Sequence, residues 1–379
     1  MRGDGERLRG GRGRDQRRPR GGRRRGRAGR ALGPGAARGR ARAPHRRARD
    51  ARRARRGRAG PRRALHLGGD GAADPPRVRG GARVRVTAVI VHWQDLDDTR
   101  GCVASLEGGI DVVVVDNASR EPVGDAFAGR ATTLRSPENL GYAGGANLGI
   151  RAALAAGAEV VLVLNNDARV RPGATAAACQ ALGADQRIAA VGPKVLARDD
   201  PSRLWLAWGE VTWRQSLVAL RGAGEPDGPA WGAARDVDWI AGCAMWMRRD
   251  ALAAVGLLDE TFFAYHEEVD WCARARAAGW RVVYWPAAVV THAGHGGAGS
   301  AAQVRIRKYF AARNAILYAR RHGSTVQQAK LAAFLAATLP LELVHHWTHG
   351  TADEVLLKLR GIRDALARRR PPFEELGLK

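Results

Sequence analysis

The stretch that most constrains the fold is Val160–Asp167, which reads VVLVLNND. Its first five residues are aliphatic, and such an uninterrupted run is typical of a strand buried on both faces of a parallel sheet. The run ends in Asn165, Asn166 and Asp167, and ligands of open α/β sheets bind outside the carboxyl ends of the strands. A carboxylate beside amide groups suits a hard divalent cation. Alternatively, the two asparagines form a turn and Asp167 caps the next helix.

Two earlier stretches predict strands of the same sheet. Residues 84–93 (VRVTAVIVHW) and 111–119 (DVVVVDNAS) are rich in β-branched residues, and a short predicted helix separates them. A strand, helix and strand of this total length favour a right-handed crossover and a parallel pair. The second strand runs into Asp116 and Asn117. We therefore expect Asp116 to lie at the same sheet edge as Asp167.

A glycine-rich segment follows at residues 138–150, which read ENLGYAGGANLGI. Glycine lets the backbone approach a ligand closely, and a helix predicted to start near Asn147 would offer its N-terminus to a phosphate. The pattern matches neither the dinucleotide fingerprint nor the Walker loop. The segment is therefore either a phosphate cradle or a flexible turn that precedes a helix.

Residues 266–270 (HEEVD) concentrate acids at the start of a predicted helix. Acids at a helix N-terminus complement the helix dipole, and Asp270 and Arg274 are spaced for an ion pair. This structural explanation accounts for one or two of the acids, but not for three acids together with a histidine. Glu267 and Glu268 are therefore candidates for chemistry.

His292 follows a predicted strand over residues 281–290. A single histidine at a strand end is commonly structural. Because this strand is expected to end at the edge that already holds Asp116 and Asp167, binding of a metal ion or a phosphate is the alternative.

The net charge of +26 is concentrated at the N-terminus. Residues 2–80 hold 28 arginines and six acidic residues, which amounts to +22, so residues 81–379 carry only +4. Residues 1–83 have almost no aromatic or β-branched side chains to form a core, and we expect them to be disordered. They form either an arm that binds RNA or acidic lipid head groups, or an extension without a catalytic role.

The cysteines are widely spaced and predict small buried side chains in a reducing compartment rather than disulfides. They are Cys102, Cys179, Cys243 and Cys272. No stretch reaches the roughly 18 apolar residues that a membrane span needs, and the N-terminus lacks the apolar core of a secretion signal. We therefore expect a cytoplasmic protein that contacts a membrane only from its surface.

Two further regions each allow two interpretations. Residues 200–240 contain five tryptophans without a clear period, which predicts either a platform for sugars or lipid or a local core. Residues 301–317 predict a basic helix, and residues 331–347 are apolar but interrupted by Pro340 and Glu342. Such helices either lie on a bilayer surface or pack on a catalytic core, and we favour the bilayer surface.

Seven segments, in this order, resemble the family 2 inverting glycosyltransferases, in particular their rhamnosyltransferase-like branch. They cover about residues 84–318 and read VIVHW, VVVVDNAS, ENLGYAGGANLGIRAA, VLVLNNDARVRPG, GCAMWMRRDAL, GLLDETFFAYHEEVDWCARARAAGWRVVYWP and VVTHAGHG. The resemblance implies a GT-A fold, an α/β Rossmann-like architecture with a mostly parallel central sheet and flanking helices. This catalytic domain would lie between the basic extension (1–83) and a helical C-terminal region (319–379).

The resemblance also implies a role for each motif, with a nucleotide-sugar donor and Mg²⁺ or Mn²⁺ as the metal. Asp116 is similar to the strand-end acid that contacts the nucleoside. The NND segment is similar to the DXD-type motif, in which Asp167 ligates the metal and Asn165 faces the ribose or donor sugar. His292 matches a histidine that completes the metal and diphosphate site. The other positions expected near the nucleotide are Asn117, Asn139, Gly141, Asn147 and Asn166.

The HEEVD segment resembles the family's acid-acid-x-acid motif, which makes Glu268 the candidate general base. The second acid of that motif is more often aspartate, and the longer side chain of Glu268 displaces the carboxylate by about one methylene. Glu267 therefore remains an alternative. A partly desolvated carboxylate removes the proton of the acceptor hydroxyl, whereas a metal neutralises the charge on the leaving nucleoside diphosphate.

The expected function is transfer of a sugar with inversion, with dTDP-rhamnose as the first candidate donor. The acceptor would be a hydroxyl of a glycan or lipid-linked glycan in cell-wall or surface polysaccharide synthesis, at the inner face of the plasma membrane. One alternative is a sugar nucleotidyltransferase, but the first strand is followed by HWQDLDD rather than by a glycine-rich loop with a basic residue. Another is an RNA-binding protein that acts through the arginine-rich arm, although we favour an enzyme over a nucleic-acid partner.

Overall fold

A ten-stranded mixed sheet forms the centre of the computed structural model, which describes residues 84–214, 217–293 and 301–378. The basic extension over residues 1–83 lies outside the described residues, and so do its expected disorder and its RNA-binding interpretation. The described strands are β1 Val86–His92, β2 Asp111–Asn117, β3 Thr132–Ser136, β4 Val160–Asn165, β5 Ala168–Val170, β6 Ile188–Ala197, β7 Leu204–Leu206, β8 Trp208–Val211, β9 Val218–Arg221, β10 Arg235–Asp236, β11 Ala244–Arg248 and β12 Arg281–His292.

Helices flank this sheet, and three further helices among the described residues follow its last strand along the chain. The described α-helices are α1 Leu96–Ala104, α2 Gly141–Ala155, α3 Ala174–Ala184, α4 Arg249–Val255, α5 Glu267–Ala277, α6 Ala301–His322, α7 Thr325–Thr348 and α8 Ala352–Leu366. A short 3₁₀ helix, Glu260–Phe262, precedes α5.

The strand order is β10-β12-β6-β11-β4-β1-β2-β3, with β5 paired to β12 and β7 paired to β6. β1 pairs in parallel with β2 and with β4, β3 is parallel to β2, and β12 is parallel to β6. β11 is inserted antiparallel between β4 and β6. The predicted α/β architecture with a mostly parallel central sheet is confirmed, and so is the predicted parallel pairing of the first two strands.

The close approach of α2 to the sheet explains the glycine-rich segment. A Cβ atom built at Gly145 would lie 2.9 Å from Cγ1 of Val91, and one at Gly149 would collide with Val89 on β1. The prediction that the helix starts near Asn147 is wrong, because α2 begins at Gly141 and includes the glycines. Absence of side chains at these positions lets the helix pack directly on β1.

The tryptophans of residues 200–240 belong to the local core. Trp208 and Trp239 are buried, whereas Trp205, Trp213 and Trp231 are half-buried and pack against the central core cluster. The local-core interpretation of this region is therefore confirmed. All four cysteines are buried free thiols, as predicted.

The C-terminal helix α8 packs against α6. α6 runs across residue 318, where the sequence placed a domain boundary, and Gly361 of α8 lies against the backbone of Tyr309 on α6. The division into residues 84–318 and 319–379 stays a prediction. Within the described parts of the chain, no helix is both long enough and apolar enough to cross a membrane.

Candidate active site

Parallel pairing brings the carboxyl ends of three strands to one edge of the sheet. β1 lies between β2 and β4, with His92 opposite Asp116 and Val91 opposite Asn165. Asp116 therefore lies at the same edge as the NND segment, as predicted. This edge is where substrates bind in open α/β sheets.

Asp167 and His292 form a nearly buried pair at this edge. Nε2 of His292 lies 2.9 Å from Oδ1 of Asp167 and 3.1 Å from Nδ2 of Asn165. The register of β12 with β5 places His292 opposite Ala168, the residue after Asp167. The edge of the Trp205 ring packs against the imidazole, with ring centroids 4.4 Å apart. The predicted association of His292 with Asp167 is thus present in the structure.

Asn166 points toward α1 instead of toward His292. Its Nδ2 donates to the carbonyl of Asp95 and to Oγ1 of Thr99, both at 3.3 Å. The same Oγ1 lies 2.7 Å from Nδ1 of His92. Burial lowers the pKa of His92 below its usual value, against the raising effect of Asp116. Sequence reasoning missed His92, although it is the first polar residue after the apolar run of β1.

Two adjacent carboxylates begin α5. Glu267 is 4% exposed, whereas Glu268 is only half-buried, and one oxygen of each (Oε2) has no hydrogen-bond partner within the described residues. Burial raises the pKa of Glu268 to about 7, against the lowering effect of the backbone N–H groups at the start of the helix. Burial, and then the charge of Glu268, raise the pKa of Glu267 well above its usual value.

The turn Gly242–Cys243 connects these carboxylates to the strand-end cluster. A Cβ atom built at Gly242 would lie 3.4 Å from Cγ of Glu268, and the carbonyl of Cys243 accepts a 3.0 Å hydrogen bond from the N–H of Asn165. Burial raises the pKa of the Cys243 thiol well above its usual value, and Asp167 and Glu268 raise it further. The turn therefore lies beside Glu268 and is hydrogen-bonded to the end of β4.

Tyr142 on α2 also contacts the Gly242–Cys243 turn. Its hydroxyl donates a 2.8 Å hydrogen bond to the carbonyl of Gly242. Burial raises the pKa of Tyr142 well above its usual value, and the carboxylates of Glu267, Glu268 and Asp167 add to the effect. Tyr142, which sequence reasoning did not select, therefore connects α2 to this turn.

His266, which immediately precedes these carboxylates, is a neutral buried side chain. It is 6% exposed, and neither ring nitrogen has a hydrogen-bond partner within the described residues. Burial lowers its pKa to about 4. The last acid of the motif, Asp270, has a structural role, since its Oδ2 accepts a 2.8 Å hydrogen bond from Arg274, the predicted i,i+4 partner.

Asp116 uses its carboxylate within the protein. It is fully buried, and it accepts hydrogen bonds from the N–H and hydroxyl of Ser119, from the N–H of Val123 and from Arg135. Burial alone would raise the pKa of Asp116, but these hydrogen bonds outweigh burial and lower it. The carboxylate therefore fixes the loop that follows β2.

Asn117 and Asn139 organise the start of α2. Nδ2 of Asn117 donates to Oδ1 of Asn139 at 3.1 Å and to the carbonyl of Gly141 at 3.0 Å, and its Oδ1 accepts from the N–H of Leu140 at 2.9 Å. Gly141 has a φ of 71°, and a Cβ atom there would collide with the carbonyl of Phe263. Through these contacts the end of β2 is bonded to the start of α2, and Gly141 packs against the loop that leads to α5.

Asn147 on α2 is hydrogen-bonded to the chain that precedes α5. It is 1% exposed, exchanges hydrogen bonds of 2.8 and 3.1 Å with the backbone of Leu258, and donates to Oε1 of Glu260 at 2.9 Å. In this structure it connects α2 to the chain before α5. It does not join the group formed by Asn165, Asp167 and His292.

The described residues contain no group of three or more histidine, cysteine, aspartate or glutamate side chains arranged to hold a metal ion. Asp167 and His292 therefore form a two-residue donor set. Among residues 84–214, 217–293 and 301–378, Nδ1 of His292 is buried without a hydrogen-bond partner. A metal bound here would take its remaining ligands from substrate and water, which is how Mg²⁺ commonly binds in phosphate-handling enzymes.

Comparison with known proteins defines the class to which this fold and site belong. The family described as "Glycosyltransferase like family 2" matches residues 85–328. The chain therefore belongs to glycosyltransferase-like family 2. This agrees with the resemblance of the seven sequence segments, and a sugar nucleotidyltransferase is not supported.

Particular relatives extend this comparison. An N-acetylglucosaminyl-diphospho-decaprenol L-rhamnosyltransferase of Mycobacterium tuberculosis is 32% identical over 209 residues, which are 49% of this chain and 67% of the relative. Galactofuranosyltransferase GlfT1 of the same species is 34% identical over 166 residues, which are 42% of this chain and 52% of the relative. A mannosyltransferase of Pyrobaculum calidifontis, solved with GDP-Man and Mn²⁺, has a TM-score of 0.47 at 16% identity and covers 78% of this chain and 90% of its own.

Proposed function

We propose that this glycosyltransferase moves a sugar from a nucleoside diphosphate to an acceptor hydroxyl with inversion, and that Glu268 is the general base. The observation that supports the proposal is the meeting of two acidic clusters at the Gly242–Cys243 turn. A Cβ atom at Gly242 would lie 3.4 Å from Cγ of Glu268, and Cys243 is hydrogen-bonded to Asn165, two residues before Asp167. Inversion requires a base on the face of the sugar opposite the leaving group. In this proposal Glu268 lies on the side of the acceptor hydroxyl, and Asp167 lies on the side of the leaving diphosphate.

Glu268 fits the role of base better than Glu267. Glu268 is the more accessible of the two, and its pKa, raised to about 7 by burial, matches the value at which a carboxylate accepts a proton near neutral pH. Glu267 is nearly buried beside it, so its ionisation is opposed both by burial and by the charge of Glu268. A base must also reach the acceptor, which favours the half-buried Glu268 over the nearly buried Glu267.

Asp167 and His292 are the residues that would hold a divalent metal, Mg²⁺ or Mn²⁺. Nε2 of His292 and Oδ1 of Asp167 lie 2.9 Å apart, and the carboxylate is a ligand that suits both Mg²⁺ and Mn²⁺. A metal at this position supplies neutralisation of the charge that develops on the diphosphate. Asn165, within hydrogen-bond distance of His292, orients the imidazole toward the same position.

The donor nucleotide, in this proposal, lies across the ends of β1, β2 and β4. Asn165 and Asn166 border it on β4. The loop after β2 and the start of α2 border it on the other side through Asp116, Asn117, Asn139 and Gly141. Asn147 acts from behind by holding α2 against the chain before α5. Most of these residues already use their polar side chains in hydrogen bonds within the protein. They would therefore shape the nucleotide pocket by holding the surrounding backbone segments in place.

The donor and acceptor are proposed from the relatives. The mycobacterial relative is named for L-rhamnosyl transfer to N-acetylglucosaminyl-diphospho-decaprenol, and we propose dTDP-L-rhamnose and a polyprenyl-diphosphate-linked glycan for this chain, in cell-wall or surface polysaccharide synthesis. The outer face of α7 fits a lipid-linked acceptor, since Leu341, Val344 and Trp347 are 71%, 65% and 74% exposed. Such a face would rest on the cytoplasmic surface of the plasma membrane.

A donor panel tests the reaction. The full-length protein would be incubated with dTDP-L-rhamnose or UDP-sugars, with Mg²⁺ or Mn²⁺, and with polyprenyl-diphosphate-linked N-acetylglucosamine, and the product would be examined by NMR. We expect release of nucleoside diphosphate and a glycosidic bond of inverted anomeric configuration. A retained configuration would overturn the mechanism. Release of pyrophosphate would instead indicate nucleotidyl transfer.

A further inference from the structure

The segment that leads into Glu267 and Glu268 has an unfavourable backbone. Phe263, Tyr265 and His266 have φ values of 64°, 66° and 71°. Non-glycine residues rarely adopt this left-handed region, and several of them in one segment persist only where the surrounding structure holds them. We call residues 261–266 the acidic-helix loop. Contacts with other parts of the chain must therefore fix the conformation of this loop.

Asn314 on α6 makes the contacts that hold this loop. Its side chain is fully buried, and its Nδ2 donates to the carbonyls of Phe262 at 2.8 Å, Ala264 at 2.8 Å and Tyr265 at 2.7 Å. The two hydrogens of this amide nitrogen are thus shared among three carbonyls that the left-handed residues turn away from regular structure. Buried carbonyls without donors are rare in folded proteins.

Arg313, the preceding residue, completes the arrangement. Its Nη1 donates to Oδ1 of Asn314 and to the carbonyl of Thr261, both at 2.9 Å. The first bond fixes which end of the Asn314 amide faces the loop. On the opposite side, the carbonyl of Phe263 accepts a 3.1 Å hydrogen bond from the N–H of Ala143 on α2. Five consecutive carbonyls, those of residues 261–265, therefore have assigned donors.

These contacts act on Glu268 from a distance. The loop enters α5 directly, and Glu268 is the second residue of that helix. Asn314 and Arg313 contact the loop carbonyls, and neither has a hydrogen bond or ion pair to Glu268 among the described contacts. A change in the loop would therefore displace the Glu268 carboxylate without removing any atom that touches substrate.

We propose that Asn314 is a positioning residue for the reaction, holding the acidic-helix loop so that Glu268 faces the acceptor hydroxyl. This proposal rests on the function proposed above for Glu268. Displacement of a catalytic group by about 1 Å can cost on the order of 100-fold in rate. Because Asn314 bonds to the acidic-helix loop, whereas the pairing of β12 with β5 places His292 beside Asp167, loss of the Asn314 side chain should affect turnover and leave donor binding largely intact.

Two variants and one control test this role in the full-length protein. Asn314→Ala removes both amide hydrogens that the three carbonyls share, and Asn314→Ser is a milder change that keeps one hydroxyl donor. Tyr309→Phe is the matched control, because Tyr309 is also fully buried on α6 and loses one buried hydrogen bond, from its hydroxyl to Oδ2 of Asp364 at 3.0 Å. Hydrogen exchange of the amides of residues 262–268 would be measured together with kcat and KM for dTDP-L-rhamnose.

We expect Asn314→Ala to accelerate exchange in residues 262–268 and to lower kcat at least about tenfold, with KM for the donor changed by less than about twofold. Asn314→Ser should be intermediate in both measurements, and Tyr309→Phe should match the unmodified protein. Faster exchange with an unchanged kcat would overturn the positioning role, and so would unchanged exchange. If the unmodified protein turned over no nucleotide sugar, the proposed function would fail, whereas the exchange data would still report whether Asn314 holds the loop.

Discussion

Nε2 of His292 lies 2.9 Å from Oδ1 of Asp167, and both side chains are nearly buried. The contact depends on the register of two short stretches, because the pairing of β12 with β5 places His292 opposite Ala168. Neither strand alone brings His292 and Asp167 together. A candidate metal site therefore forms where the last strand of the sheet returns to the end of β4.

The metal requirement tests this pair. We expect His292→Ala to raise the Mn²⁺ concentration for half-maximal turnover at least about tenfold, since loss of even an outer-sphere partner of a metal ligand costs 10- to 100-fold in affinity. Asp167→Ala should abolish metal-stimulated turnover. Titration of Mn²⁺ into the metal-free protein would give these values, with the exposed His345 on α7 changed to alanine as the control. An unaltered Mn²⁺ requirement in His292→Ala would exclude it as a ligand.

The pH dependence of turnover tests the state of Glu268. Burial raises its pKa to about 7, and only the ionised carboxylate can accept a proton. We therefore expect kcat/KM, which reports groups of the free enzyme, to fall about tenfold per pH unit below pH 7 and to level off above it. The profile would be measured with donor and acceptor concentrations well below their KM values. A kcat/KM that stays constant down to about pH 5 would mean that the base is a carboxylate of ordinary pKa or another group.

The strands of the site could be predicted from the sequence with good accuracy. β4 was expected to start at Val160 and to end in NND, and it spans Val160–Asn165. Uninterrupted aliphatic runs have few interpretations other than buried parallel strands, so the shared edge of Asp116 and Asp167 followed from them. The pairing of Asp270 with Arg274 followed from helix geometry alone.

Other parts of the site depend on contacts between distant segments, which sequence reasoning could not supply. The roles of Tyr142 and Asn314 come from hydrogen bonds to Gly242 and to residues 262–265, respectively. The glycines of residues 138–150 suggested a phosphate cradle, because glycine that permits close helix packing cannot be distinguished in sequence from glycine that admits a ligand. In the structure, Gly145 and Gly149 face β1.

Gly141 tests the packing of α2 against the acidic-helix loop. A Cβ atom there would collide with the carbonyl of Phe263, and the φ of 71° is unfavourable for alanine. We expect Gly141→Ala to lower the free energy of unfolding by about 2 kcal/mol or more. Gly183 in α3 is the control, since nothing lies within 4 Å of its Cβ position, and Gly183→Ala should stabilise by about 0.5 kcal/mol. Urea unfolding would compare the two, and equal effects would contradict the packing described here.

The outer face of α7 tests the proposed membrane contact. Combined substitution of Leu341, Val344 and Trp347 by serine removes exposed apolar side chains without touching the core, so we expect reduced binding to vesicles that contain anionic lipid. Leu220 on β9 is the control, because it is 54% exposed and lies on another element. Co-sedimentation would measure binding. If the triple variant bound vesicles as well as the unmodified protein, α7 would not be the contacting surface.

The proposed mechanism depends most on the position of Glu268, and substitution of Glu268 by glutamine tests that position directly. The measurement is kcat for Glu268→Gln and Glu267→Gln under identical conditions, with donor affinity determined separately by calorimetry. We predict that Glu268→Gln binds the donor with unchanged affinity and loses at least about 100-fold in kcat, whereas Glu267→Gln loses much less. Full turnover by Glu268→Gln would contradict the mechanism proposed here.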